Sequence, residues 1–272
     1  MIFVEGSSAL VRLADCFKAN LDQCLSVSKN VLEIYRSQTP ALEAHKELRE
    51  RFEKGTLSEE ELHQEFEQLN SMINPSVAES AIAAQGKLHS FVLTVTLTSC
   101  FCLESYVNAL AFRLFRENDF LGLLRKGHDA TADILIDAID RMSTTAKWET
   151  LGKLREGNSF DRSVSPFQDL RNLFNFRNDL VHDKFVPYNK DRMRNRYGNQ
   201  LPDPVMGVLE LEHAVYAAET YWAMVEEVHR LTGYARPDFH QHYNLSPWHD
   251  DAFRKELERV SIEYKKIVPF NR

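Results

Sequence analysis

Three residues near the end of one predicted helix have side chains suited to chemistry: Arg177, Asn178 and His182. A histidine takes or gives a proton near neutral pH. An arginine grips a phosphate through paired hydrogen bonds and stabilises the extra negative charge of a transition state. Asn178 and His182 are an i,i+4 pair, so Asn178 is placed to orient the imidazole or the phosphate. Arg177 and His182 are five residues apart, which sets them about 140° apart on a regular helix. A working site therefore needs the helix to unwind near His182, or a second subunit to complete it. The plain structural alternative is a helix-terminal histidine favoured by the C-terminal dipole. Arg177 would then cap carbonyls or pair with Asp179 or Glu104.

The helix that carries them has a strong start signal in Ser165-Pro166-Phe167-Gln168. Ser165 can cap, Pro166 suits the first helical position and Gln168 can close a capping box. The pattern runs to about Lys184, and Pro187 ends it. Projection separates the faces. Phe167, Leu170, Phe174 and Val181 form an apolar stripe that includes Arg177, and Leu173, Phe176 and Leu180 widen it. Arg171, Asn175, Asn178 and His182 form an adjacent polar row. Polar groups on a buried helix must find partners, which makes Asn175 a candidate supporting residue.

The run Arg177 to His182, RNDLVH, resembles the R-x4-6-H motif of the HEPN superfamily. The polar Asn178 directly after the arginine is similar to the form seen in ribonuclease members. The wider context, from about residue 76 to 232, is similar too: a long helix with an embedded glutamate (CLESYVNAL), short helices, the motif helix, a loop and a long final helix. The resemblance implies an up-and-down bundle of four or five helices that commonly dimerises and joins two motifs across a two-fold axis. Many such proteins are metal-independent endoribonucleases of toxin–antitoxin, abortive-infection and other defence systems. Others keep the fold and only bind nucleotides or partner proteins.

On that resemblance the expected substrate is RNA, cleaved by attack of its own 2′-hydroxyl on the adjacent phosphate. His182 would be the general acid or base, Arg177 the phosphate clamp and Asn178 the orienting group. No cofactor or metal is required. A homodimer is expected, with a neutralising or regulatory protein as a further partner. The alternative from another class is a non-catalytic HEPN-like scaffold that binds a protein or nucleotide. A third possibility is an unrelated helical protein with an accidental RNxxxH.

Two further features bear on this expectation. Lys184, Lys190, Arg192, Arg194 and Arg196 follow the motif, opposed only by Asp183 and Asp191, with Tyr188 and Tyr197 interleaved. Such a loop can hold phosphates while tyrosines stack bases, or it can be a solvated surface loop. Glu104 interrupts an apolar helical stripe with Asn108 one turn later. Buried acids need a partner, and Arg177 or His182 is a candidate, whereas a solvent-facing Glu104 needs none.

Other chemistries find little support. His240, His242, His249, Asp250 and Asp251 lack the helical ligand spacing of known metallohydrolase motifs. Cys16, Cys24, Cys100 and Cys102 form no CxxC and read as reduced thiols. No Gly-rich phosphate loop, GxSxG elbow or HExxH is present.

The elements that must position these residues are helical. Apolar residues from Ser7 to Tyr35 recur at three- and four-residue intervals. Pro40 and Gly55 punctuate a charged segment. Ser58 and Glu61 form a capping-box pattern that opens a helix to about Met72. Asn74-Pro75 reads as a turn. From Phe91 to Phe115 a strand-like alternation competes with a helical stripe, and the absence of hairpin signals favours one long helix. Short helices are predicted at Ala130–Arg141 and Ala146–Glu156, and longer ones over Val205–Leu231, closed by Gly233, and from Ser246-Pro247 to Lys266.

The expected architecture is all-α: an N-terminal helical extension (1–75), a HEPN-like up-and-down bundle (76–232) and a C-terminal connector with an appended helix (233–272). A net charge of -7 argues against a protein that coats nucleic acid through its overall field. The start MIFVEGSSALVRLAD shows no signal-peptide pattern, and no apolar run reads as a membrane span. The expected location is cytoplasmic.

Overall fold

A computed structural model of the chain describes residues 2–72, 75–117, 138, 141–156, 160–182, 209–232 and 251–267. Among these residues the structure is all-α. Its helices are α1 (Ile2–Ser37), α2 (Thr39–Glu53), α3 (Glu59–Met72), α4 (Pro75–Glu117), α5 (Thr144–Glu156), α6 (Phe167–His182), α7 (Leu211–Thr232) and α8 (Asp251–Ile267). Most of the predicted Ala130–Arg141 helix, the Asn74 turn, Gly233 and Ser246-Pro247 lie outside the described residues.

The ambiguous Phe91–Phe115 segment lies within α4, a helix of 43 residues. Its alternating threonines are accommodated by the helix itself. The hydroxyls of Thr94, Thr96 and Thr98 donate to carbonyls four residues back, on Ser90, Val92 and Thr94, at 2.8, 2.9 and 2.7 Å. A β-branched hydroxyl that bonds back in this way needs no partner from another element. The stretch Glu79–Leu110 is long and apolar enough to cross a membrane, against the expectation of no such run, but 56% of its most apolar window is buried inside the bundle. That composition follows from position: α4 packs against α1, α5, α6 and α7 and has apolar neighbours on most sides.

α7 is the second hub and touches α4, α5, α6, α8 and α1. One contiguous core includes Phe17 and Leu21 of α1, Leu103 and Tyr106 of α4, Trp148 of α5, Leu173 of α6, Trp222 of α7 and Leu257 of α8. The C-terminal helix is therefore no appendage. Its charged positions hide a buried stripe of Leu257, Val260 and Tyr264. α1 likewise shares the core.

The charged segment between Pro40 and Gly55 is the helix α2, with Pro40 in its first turn. α2 ends in a Schellman arrangement: Gly55 N–H donates to Phe52 O (2.9 Å) and Thr56 N–H to Arg51 O (3.0 Å). Gly55 sits at φ 70°, a left-handed conformation that glycine adopts freely. α3 opens on the expected capping box, with Ser58 N–H to Glu61 Oε2 at 2.9 Å and Glu61 N–H to Ser58 Oγ at 3.3 Å. The α2–α3 hairpin packs on itself and meets α1.

α8 is clasped to its neighbours by charge as well as by packing. Lys29 of α1 bonds Glu256 at 2.8 Å, Arg36 of α1 pairs with Glu263, and Lys265 pairs with Glu212 of α7. Hydrogen bonds from Arg259 and then Lys29 hold the Glu256 carboxyl down at about 2, below its ordinary 4.5. A carboxyl depressed on folding stabilises the fold fully above its unfolded value, and that contribution fades as pH falls from about 4.5 to about 2. Denaturant unfolding of the parent and Glu256→Gln should therefore differ most near neutral pH and converge through that window. Curves that keep a constant separation down to the acid end would remove Glu256 from the clasp.

Candidate functional site

α6 is seated by contacts at both ends. At its start Gln168 N–H donates to Val164 O and Leu170 N–H to Pro166 O, each at 3.0 Å. The expected Ser165–Gln168 capping box does not form. Instead the Ser165 hydroxyl and Tyr216 of α7 both hydrogen bond the Asp169 carboxylate, with Tyr216 Oη at 3.3 Å from Oδ1 and 3.1 Å from the Asp169 carbonyl. Burial raises the Asp169 carboxyl above its ordinary value, and these bonds oppose the rise. A shorter side-chain reach to Asp169 has displaced the box. Farther along, Phe176 stacks on the buried His213 ring of α7 at 5.3 Å between centroids.

The buried face of α6 is Phe167, Leu170, Leu173 and Phe176. This shifts the predicted stripe by about one position around the helix. Val181, expected in the buried row, is 52% exposed, and Phe174 is half-buried. Arg171 and Asn175 are exposed and Asn178 is half-buried, so much of the polar row is solvated and Asn175 needs no buried partner. The reason is that α6 docks on α4 and α7 together, and the two hubs meet the helix along its Leu170–Leu173–Phe176 edge.

α7 starts at Leu211, and Leu209 and Glu210 precede it outside the helix, against a predicted start at Val205. Two imidazoles hold this entry. Leu209 N–H donates to His89 Nδ1 of α4 at 3.2 Å, and Glu210 N–H donates to His213 Nδ1 at 3.0 Å. Residues 205–208 lie outside the described set.

Arg177 is half-buried where α6 crosses α4. Its guanidinium carbon lies 5.7 Å from the centroid of the Phe101 ring, within cation–π range. Its Nη1 donates to Asn178 Oδ1 at 2.9 Å, and its buried Nε has no hydrogen-bond partner among the described residues. It makes no ion pair with Asp179 or Glu104. The neighbouring Cys100 thiol is pushed up to about 12 by burial, and the Arg177 charge opposes that rise. Glu104 is half-buried and forms no ion pair or hydrogen bond with another described residue, so the expected Glu104–Arg177 pair is absent.

Asn108, one turn beyond Glu104, accepts a hydrogen bond from Lys147 Nζ of α5 at 2.9 Å. The sequence reading missed Lys147. The only signal was its place between Ala146 and Trp148, on positions that face a core.

α6 stays helical through His182. The His182 side chain lies outside the described part, as do Lys184, Tyr188, Lys190, Arg192, Arg194 and Arg196. The candidate metal ligands His240, His242, His249 and Asp250 lie outside it too. Among the described residues no group of histidine, cysteine and carboxylate side chains gathers to hold a metal.

The described part of the site is thus a stripe of α4 flanked by two cations. Phe101, Glu104, Ser105 and Asn108 fall on one helical face at i, i+3, i+4 and i+7. Arg177 stands over the first and Lys147 on the last, and their footholds are about 10 Å apart at ~1.5 Å per residue. This arrangement can hold anions and can stack a flat ring on an exposed aromatic. No protein-family model matches this chain, and no curated protein or solved structure matches it either.

Proposed function

We propose that this protein is a metal-independent endoribonuclease of the HEPN type. The observation that carries the reading is the setting of Arg177. Its charge rests on the exposed ring of Phe101 and one nitrogen is steadied by Asn178, while the rest of the guanidinium is left without a carboxylate among the described residues. A held but unneutralised arginine is what a phosphate clamp requires. It lies in the sequence run RNDLVH, which supplies His182 as the proton-transfer group.

The reaction needs no external nucleophile. The 2′-oxygen of RNA attacks the adjacent phosphorus and loses its proton to a base. The bond to the 5′-oxygen breaks and that oxygen takes up a proton. The products are a 2′,3′-cyclic phosphate and a 5′-hydroxyl. Arg177 stabilises the charge that builds on the non-bridging oxygens, and His182 moves a proton.

The working form is a homodimer. Because α6 remains helical through His182, Arg177 and His182 stay about 140° apart within one chain, and the Arg177 of one copy with the His182 of the other completes a site. Exposed Val181, one turn from Arg177 on α6, gives the two copies apolar surface to cover. The protein acts on RNA in the cytoplasm, in a defence or toxin–antitoxin setting with a neutralising partner.

The test is product chemistry. Purified protein should cut single-stranded RNA in excess EDTA and leave 2′,3′-cyclic phosphate ends. Cleavage that needs added Mg²⁺ or leaves 3′-hydroxyl ends sinks this mechanism. A dimer that binds RNA or nucleotide without cutting it points to the scaffold reading instead.

A further inference from the structure

We infer that Lys147 is a second phosphate-binding residue, holding the RNA backbone at the far end of the α4 stripe from Arg177. This rests on the ribonuclease reading above and adds to it a residue and a path for the strand. Lys147 is only 6% exposed, and lysines are seldom so buried unless paired. Its ammonium has three donors, and the one bond it makes is to the neutral Asn108 Oδ1. No carboxylate among the described residues lies within ion-pair distance of it. Glu104, one turn away on the same face of α4, stays unpaired.

A cation in this position is not explained by stability. Replacing a poorly compensated buried charge with an apolar side chain of similar size is often neutral or stabilising. The geometry shows where the unspent charge is offered. Asn108 is exposed, so the ammonium of the buried Lys147 sits directly against an amide that faces solvent. An anion that binds beside that amide meets the remaining ammonium donors.

The stripe identifies the anion. Arg177 and Lys147 stand at its two ends. The Phe101 ring under Arg177 is 39% exposed, and the half-buried Ser105 lies between it and Asn108. Cations that track a backbone, with an aromatic on which a base stacks, are the general means of binding single-stranded nucleic acid. A serine hydroxyl is among the groups that contact phosphate and sugar oxygens. Glu104 lies between the two cations, so it disfavours a phosphate in the middle and leaves the two ends for separate backbone contacts. The ligand is therefore a phosphodiester strand rather than a free phosphate.

The experiment measures binding of a single-stranded 2′-O-methyl oligonucleotide, which cannot be cleaved, at several salt concentrations. Lys147→Met should bind about tenfold more weakly, as for loss of one charge-assisted bond. Its plot of log K against log salt should flatten by about 0.7, the share of one single-strand phosphate. Lys147→Arg should keep the parent slope, and the melting temperature of Lys147→Met should equal or exceed that of the parent. Unchanged affinity and slope in Lys147→Met, with a parent that binds, overturns the role of Lys147 and leaves the ribonuclease reading intact. A drop in melting temperature with an unchanged slope assigns Lys147 to structure and overturns the inference. A parent that binds no oligonucleotide overturns both. Inorganic phosphate alone is titrated in parallel. If it protects the parent in a Lys147-dependent way as well as the oligonucleotide does, the site takes free phosphate and the strand path falls.

Discussion

His182→Ala is expected to slow RNA cleavage about 10²–10⁴-fold, the usual loss on removing a general acid or base, and to leave the fold unchanged. His182 is the last residue of α6. The parent rate should carry a pH limb set by the histidine. If His182 is the base, activity falls on the acid side, because the protonated ring cannot accept the 2′-hydroxyl proton. If it is the acid, activity falls on the alkaline side. In either case the limb vanishes in His182→Ala. Arg177→Ala should cost about 10²–10³-fold in kcat, in line with loss of one transition-state donor. Arg177→Lys should restore little, because an ammonium lacks the planar fork that meets two phosphate oxygens. Cleavage by both variants at the parent rate would remove the motif from the chemistry.

The dimer adds a sharper version of this test. An inactive mixture of Arg177→Ala and His182→Ala homodimers should regain activity when subunits exchange, because one of the two sites in the mixed dimer contains an intact arginine and an intact histidine. A site completed within one chain would show no such rescue. The helix makes the distinction meaningful, since α6 does not unwind before His182 and leaves the two positions about 140° apart around its axis.

Much of this arrangement could be read from residue spacing, and the exceptions have physical causes. Periodicity was enough for α1, α4 and α6, because each buries a stripe of its own, whereas α3 was marked by its Ser58–Glu61 capping box. α4 competed with a strand only through its threonines, and their hydroxyls bond within the helix. The start of α7 was misplaced because two histidines, one on another helix, hold Leu209 and Glu210 out of the helix. α8 looked like an appendage because its charges outnumber its core residues, yet those charges pair with α1 and α7. Around the site, Arg177 and His182 were legible as a motif. Phe101 beneath Arg177 and Lys147 beside Asn108 were not, because only the packing of α5 and α6 onto α4 brings them to one stripe.

The same packing predicts the largest effect on stability. Trp148 is fully buried on α5 and stacks on Tyr106 of α4 with ring centroids at 5.9 Å. Its other edge meets Phe160 at 6.2 Å, and Phe160 meets Phe167, the first residue of α6, at 5.5 Å. This chain of rings joins α4, α5 and the start of α6. Trp148→Ala should cost about 3–5 kcal/mol, the range for deleting a buried aromatic, because helices held on several sides cannot collapse into the gap. For a chain of this length that lowers the melting temperature on the order of 10 °C. Trp148→Phe should lose much less, since it keeps a ring in the stack and removes an indole N–H that has no hydrogen-bond partner among the described residues. The alanine variant also tests how the site is positioned. With the ring chain broken, α5 and the start of α6 should exchange amide hydrogens faster than α1 does. RNA cleavage at a temperature where the variant is still folded should then fall more than binding does, because the chemistry tolerates little displacement of its groups. Uniform acceleration of exchange across α1, α5 and α6 would mean that Trp148 stabilises the bundle as a whole and has no particular hold on α6.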